Sequence, residues 1–380
     1  MRRLTAEAKT RLLITAAKRS NNRFMRQMKK KLGIKIFEEK KASRREFARR
    51  NRVPYVDDLN VRQIVLPDRL CFKTNFSDTA TCLDQIRRNC LIDNVPVMLH
   101  FEHVAHLDPA AALVLVAEIY RCRNLRTYAG GWIVNGTYPR NPAIYKLMRD
   151  MGFFNLLNIR DDRPEEPRLD EDGSAYLGFI TDSTVDGAMV DQFVTVIENH
   201  ILKMNPVARG KLVGAIKEAM SNTLDHAHLL KTDYQSMPNR WWLSSRVNVK
   251  EHEVVIMLFD QGVGIPRTLE PTTYEAVLAT LVNLSTLRGV SKQPSDGEMI
   301  KAATELHRTG TGQSGRGKGF RNMKQFVDSC PDGELRVLSN RGVYHYMSGT
   351  EQVEDQALSV GGTVIEWRFR SEETVVMHDE

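Results

Sequence analysis

The sequence predicts an α/β protein in which a basic helical arm precedes two folded parts. Three observations carry this expectation. From about Asn60 the chain alternates apolar strand-like runs with helix-like ones for about a hundred residues, the pattern of a β/α unit. An acidic stretch holding two prolines and a glycine, Ile159 to Tyr176, then interrupts it as an inter-domain linker. Beyond it, amphipathic helices are followed by two strands, a glycine-rich run, a further helix and a closing strand. The expected organisation is an arm over 1–53, a β/α domain over 60–160, a linker over 161–176, a second α/β domain over 177–371 and a tail over 372–380.

The arm stands apart by charge. The 380-residue chain has a net charge of +7, but residues 1–53 hold 19 Lys/Arg against 4 Asp/Glu, leaving the rest mildly acidic. Such an arm is a candidate contact for nucleic acid or another acidic partner, and the alternative is a solvated helix without a ligand. Phe24, Met28 and Leu32 follow at i, i+4 and i+8, so part of it reads as a helix with an apolar docking stripe. The chain shows no apolar run of about eighteen residues and no apolar signal-peptide core. A cytoplasmic protein without a membrane segment is therefore expected. The five cysteines are odd in number, widely spaced and without a C-x-x-C pair, which argues for buried free thiols over a zinc site or disulfide framework.

Within 60–160, FSDTATCLDQIRRNCL reads as a helix and VPVMLHFE as a buried strand. In HLDPAAALVLVAEIYRCRNL, Asp108 is placed to cap a helix that has Pro109 at its first position. AGGWIVNGTY is a further strand and NPAIYKLMRDMGFFNLL a further helix. This block resembles the STAS domain, the sulfate-transporter and anti-sigma-factor-antagonist fold, in its apolar strand, the H-L-D-P-A-A-A-L helix opening and the closing L-M-R-D-M-G-F-F-N-L-L. Switch members of that family carry a phosphorylatable Ser or Thr just after the loop aspartate. Here Pro109, Ala110, Ala111 and Ala112 follow Asp108. The resemblance therefore implies a docking or regulatory module and not a phosphorylated switch.

In the second part, VDQFVTVIENHILKM reads as a helix, and KLVGAIKEAMSNTLDHA as a helix whose apolar face is Val213, Ile216, Met220 and Leu224. Glu218, Asn222 and Asp225 share another face. A Glu and an Asn one turn apart are ordinarily a solvated stripe, but can supply a base for water and an oxygen ligand for Mg²⁺. The strands WWLSSRVNV and EVVIMLFD follow, and the second runs into D-Q-G-V-G-I-P from Asp260 to Pro266. A carboxylate at a strand end can accept from an exocyclic amine, and the glycines beside it admit a close-lying flat ligand. The run GTGQSGRGKGF misses the phosphate-binding P-loop pattern, because Gly319 stands where a hydroxyl must hold Mg²⁺ and no buried strand precedes it. It opens onto a helix carrying Phe320, Met323, Phe326 and Val327, a geometry suited to anions.

The order of these pieces resembles the GHKL ATP-binding domain of DNA gyrase, the large heat-shock chaperone, histidine kinases and mismatch-repair ATPases. Glu218, Asn222 and the His-Ala pair at 226–227 match its N box. Asp260, Gly262, Gly264 and Ile265 match the adenine-contacting G1 box, and Gly315, Gly317 and Gly319 the G2 box. GGTVIEWRF, with Gly361, Gly362 and Thr363, matches the closing strand. The resemblance implies one mixed sheet covered by helices, ATP and Mg²⁺ as ligands, Glu218 as general base, Asn222 as Mg²⁺ ligand, and a mobile lid between Pro266 and Gly310. It leaves Lys318 and Arg316 as local cations for the γ-phosphate, with a solvated lid charge as the alternative.

His200 lacks the acidic and arginine neighbours of a histidine-kinase phosphoacceptor. Three readings remain open. The first is a Mg²⁺-dependent ATPase or nucleotide-gated switch regulated through the STAS-like module. The second is an anti-sigma-type serine/threonine protein kinase, and the third a non-hydrolysing, nucleotide-gated module whose arm contacts nucleic acid. The expected partners are ATP, a protein reached through the STAS-like domain, a nucleic acid or acidic molecule at the arm, and a second copy in a homodimer.

Overall fold

The computed structural model describes residues 55–56, 61–126, 132–161, 173–200, 204–227, 234–235, 237, 239–268, 294–305 and 319–371. The arm, the tail and the glycine run up to Lys318 lie outside these residues. The chain is a mixed α/β protein.

The first part opens with β1 (Tyr55–Val56), β2 (Arg62–Val65), β3 (Arg69–Leu70) and α1 (Phe76–Arg87), which ends in a π-helical turn over Arg88–Ile92. Next come β4 (Val97–His100), β5 (His106–Leu107), α2 (Pro109–Leu125), β6 (Val134–Gly136), α3 (Pro142–Asp150) and the short α4 (Phe153–Leu156). Strands β2, β4 and β6 are parallel neighbours in a four-stranded sheet that β1 joins antiparallel. Such parallel strands need crossover helices, which α1 and α2 supply. Asp108 occupies the N-cap of α2 with Pro109 at the first turn, as its sequence indicates.

Helix α2 lacks a solvent face along most of its length: every residue from Ala110 to Ile119 is buried. One side meets its own small sheet and the other packs against the second part, a burial that an all-round apolar run requires.

The second part contains β7 (Ser174–Asp182), α5 (Gly187–Glu198), α6 (Pro206–Asp225), β8 (Trp241–Asn248), β9 (Glu253–Asp260) and α7 (Ile265–Thr268). It continues with α8 (Asp296–Glu305), α9 (Gly319–Val327), β10 (Glu334–Ser339), β11 (Gly342–Met347), β12 (Thr350–Asp355) and β13 (Thr363–Arg370). Its sheet has seven strands in the order β12-β11-β10-β13-β9-β8-β7. Strand β7 begins at Ser174, inside the stretch read as linker. Asn205 caps α6 by accepting from the amides of Val207 and Ala208, ahead of Pro206 at the first turn.

The seven-stranded sheet is antiparallel throughout and not mixed. Tight hairpins link β8 to β9, β10 to β11 and β11 to β12, with left-handed residues at His252, Asn340, Ser348 and Gly349. Short hairpins leave no room for a parallel crossover.

Both faces of this sheet are covered, which explains the unbroken apolar run of β9. Val254, Ile256 and Leu258 pack with Trp241, Trp367 and helices α5, α6 and α9. Met257 and Phe259, with Trp242 and Val364, join the core of the first part instead. Tyr120 of α2 meets Trp242 edge-on, ring centroids 5.1 Å apart. Polar ties reinforce this contact: Arg336 donates through Nη2 to the Phe72 carbonyl at 3.1 Å, and Lys73 pairs with Glu366 at 2.6 Å.

The interval expected to be a mobile lid is partly anchored. Within it, α8 buries Met299, Ile300 and Ala303 against the sheet. The amides of Asp296 and Gly297 donate to the Asp355 carboxylate. The apolar spacing of α8 and this capping from β12 hold residues 294–305 against the sheet. The described cysteines are all free, and Cys71, Cys82, Cys90 and Cys122 are buried.

Candidate functional site

Strand β9 ends at Asp260, whose side chain is buried where the next loop begins. Antiparallel pairing places Thr363 of β13 directly opposite Asp260, and Ser339 of β10 opposite Thr363. These three side chains therefore share one face of the sheet. The amide of Gly262 donates to Asp260 Oδ1 at 2.8 Å, and the Thr363 hydroxyl hydrogen-bonds the same carboxylate. The amide of Ile265 donates to Ser339 Oγ at 2.8 Å, and Ser339 Oγ lies 3.0 Å from Thr363 Oγ1. When Asp260 is ionised, the Thr363 hydroxyl donates to its carboxylate, which leaves Thr363 Oγ1 to accept from Ser339. Burial pushes the Asp260 pKa up to about 7, against the pull of the Gly262 amide and the Thr363 hydroxyl.

The loop after Asp260 rests on the end of α6. Val263 donates its amide to the Ala227 carbonyl at 2.8 Å. Gly264 has φ +85°, a left-handed conformation, and lies against the carboxamide of Asn340. The C-terminal end of α6 is thereby tied to the loop after Asp260. Glu218 and Asn222 are both half-buried on α6. Burial raises the Glu218 pKa, the nearby Asp225 adds to the rise, and His226 opposes it. Helix α9, whose first residue is Gly319, packs along α6.

Of the residues singled out in the sequence, the structure gathers Asp260, Gly262, Gly264, Ile265 and Thr363 into one corner and joins it through Ala227 to the helix carrying Glu218 and Asn222. Gly315, Gly317 and Lys318 lie outside the described residues. Sequence reasoning missed Ser339 and Asn340. The signal available was the S-N-R-G turn between two β-branched and apolar runs, but only strand register shows that it reaches Asp260. Gln261 was also passed over: its side chain is buried and its amide nitrogen and oxygen have no hydrogen-bond partner.

Among the described residues, no group of three or more His, Cys, Asp or Glu side chains is placed to hold a metal. No described helix is long and apolar enough to cross a membrane. No protein-family model matches the chain, and no curated protein matches it.

Proposed function

We propose that the chain binds ATP in the corner formed by Asp260, Thr363 and α6, and uses it in the manner of GHKL-type proteins. The observation that carries this reading is the buried strand-end carboxylate of Asp260, held by the Gly262 amide and the Thr363 hydroxyl. A carboxylate held this way can accept from the exocyclic amine of adenine. The beginning of α9 offers backbone amides to the phosphates, with Gly315, Gly317 and Lys318 preceding it in sequence. The fit to Mg²⁺ rests on the side-chain oxygen of Asn222, one hard ligand that the nucleotide phosphates and water would complement. Bound there, Mg²⁺ would neutralise charge on the phosphates. Glu218, half-buried with a raised pKa, suits a general base that removes a proton from water or from a protein hydroxyl.

The first part acts in this reading as a built-in regulatory module. Its loop after Asp108 carries no hydroxyl, and Ala110, Ala111 and Ala112 are buried. A protein-kinase activity would accordingly take its acceptor hydroxyl from another molecule. Calorimetric titration with Mg-ATP tests the binding, and phosphate release together with transfer from γ-labelled ATP separates hydrolysis from phosphotransfer. No heat of binding with the full chain, in a buffer where it is folded, would overturn the proposal.

A further inference from the structure

We propose that Arg87, on α1 of the first part, is a positioning residue for the base end of the nucleotide site. The inference rests on the ATP-binding reading and names how the first part acts on that site. Arg87 is 1% exposed and donates through Nη2 to the carbonyl of Val360, across 273 residues of sequence. Val360 opens the turn through Gly361 and Gly362 that delivers Thr363 to Asp260.

The turn is shaped around the guanidinium. Gly361 has φ +87°, and a Cβ there would lie 2.3 Å from Arg87 Cζ. Val360 and Gly362 are also stitched to Asn340: the Val360 amide donates to the Asn340 carbonyl at 2.9 Å and the Asn340 amide to the Gly362 carbonyl at 3.3 Å. Asn340 in turn supports Gly264. Through these bonds Arg87 holds both chain segments that frame the Asp260 corner.

Arg87 is itself fixed. Its Nε lies 3.2 Å from Glu118 Oε1, and Glu118 is shared with Arg121; all three side chains are almost wholly buried. One turn of α1 earlier, Asp84 accepts from the Tyr234 hydroxyl at 2.5 Å. Tyr234 lies in sequence between α6 and β8, so α1 holds this residue as well as the turn before Thr363. A contact needed only for cohesion would be served as well by apolar residues, because buried ion networks are commonly neutral or unfavourable against them. Here the buried charge aims a donor at the one turn that orients Thr363. Any shift of α1 is thereby transmitted to the base end of the site.

The test compares the full-length wild type with Arg87→Met, Arg87→Lys and Asp260→Asn. Affinities for ATP, GTP and inorganic tripolyphosphate are measured by calorimetry at a temperature where each protein is folded by circular dichroism. Arg87→Met should bind ATP about tenfold more weakly, the scale of one charge-assisted hydrogen bond acting indirectly. Its preference for ATP over GTP should shrink, while tripolyphosphate binding, which lacks a base, stays unchanged. Arg87→Lys keeps the charge facing Glu118 but loses the planar fork, and should fall between the two; it carries the test should Arg87→Met not fold. A wild-type ATP/GTP ratio in both Arg87 variants overturns the proposal, as does a parallel loss of all three ligands, which marks a merely structural role. If wild type binds ATP and Asp260→Asn does not, the nucleotide reading survives either of those results. If wild type binds no ATP, both fall together.

Discussion

Gly262 lies against Ala227 so closely that a Cβ on the glycine would sit 2.4 Å from the alanine Cβ and 2.5 Å from its carbonyl oxygen. Ala227 leaves nowhere for a methyl group to go, since its backbone is tied to Val263. Gly262→Ala should therefore push the loop off α6, with a loss of about 1–3 kcal/mol from overpacking. Gly214→Ala is the contrast: it lies inside α6 with nothing within 4 Å of the added Cβ, and should gain about 0.5–1 kcal/mol. Urea midpoints of the two variants check both signs.

Asp260→Asn should weaken ATP binding about ten- to a hundredfold, the scale of one charge-assisted hydrogen bond. It should also change the pH dependence of stability without ligand. The folded carboxyl titrates at about 7, above its ordinary 3.8, so between these values the folded state holds a proton that the unfolded chain releases. Wild-type stability from this group accordingly falls as pH rises from about 4 to 7, by about 1.4 kcal/mol for each pH unit crossed. The asparagine variant should lack that fall. Chemical denaturation at pH 5 and pH 8 measures it, and an equal slope in both proteins would contradict the assignment.

The same titration reaches the ligand. A donor amine favours ionised Asp260, so ATP binding should expel a proton wherever the free protein holds one. Affinity should rise with pH below about 7 and level off above it, by no more than about tenfold per pH unit. Calorimetry in buffers of different ionisation enthalpy reads the released proton directly.

Glu218→Gln keeps the size of the side chain and removes its ability to take a proton. Turnover should fall about 10²–10⁴-fold with little change in ATP affinity, whether the nucleophile is water or a protein hydroxyl. Single-turnover assays beside calorimetry separate the two quantities. Full activity in the variant would take Glu218 out of the chemistry.

Removal of residues 1–53 should leave ATP affinity unaltered and weaken any salt-sensitive association with polyanions, because this segment holds the positive excess of the chain. Titration of the truncated protein with a short duplex at low and moderate salt checks it, and undiminished binding would place the contact elsewhere.

Much of the fold was legible where local chemistry decides it. Asp108-Pro109 marks the start of α2, and the missing polar face of that helix announces burial on all sides. The apolar run of β9 likewise announces two covered faces, although nothing in it says that the second cover is the first part of the same chain. The hairpin strands β10 to β12 went unread. Strand β12 is almost entirely exposed and reads T-E-Q-V-E-D, a composition that resembles a loop and owes its strand form to pairing with β11. At the candidate site, Asp260 and Thr363 were recognisable from neighbouring glycines. Ser339 was not, because its place beside them depends on register between distant strands. Arg87 was not either, since its role depends on how one part lies on the other.

A helix buried in one core that both parts share removes modularity. Residues 173–371 transplanted alone would carry Trp242, Met257, Phe259 and Val364 into water as a bare sheet face. Residues 60–160 alone would likewise expose the outer side of α2. Exchange of either part for an unrelated neighbour would leave these apolar faces uncovered, so substitutions on α2 are constrained from both sides together.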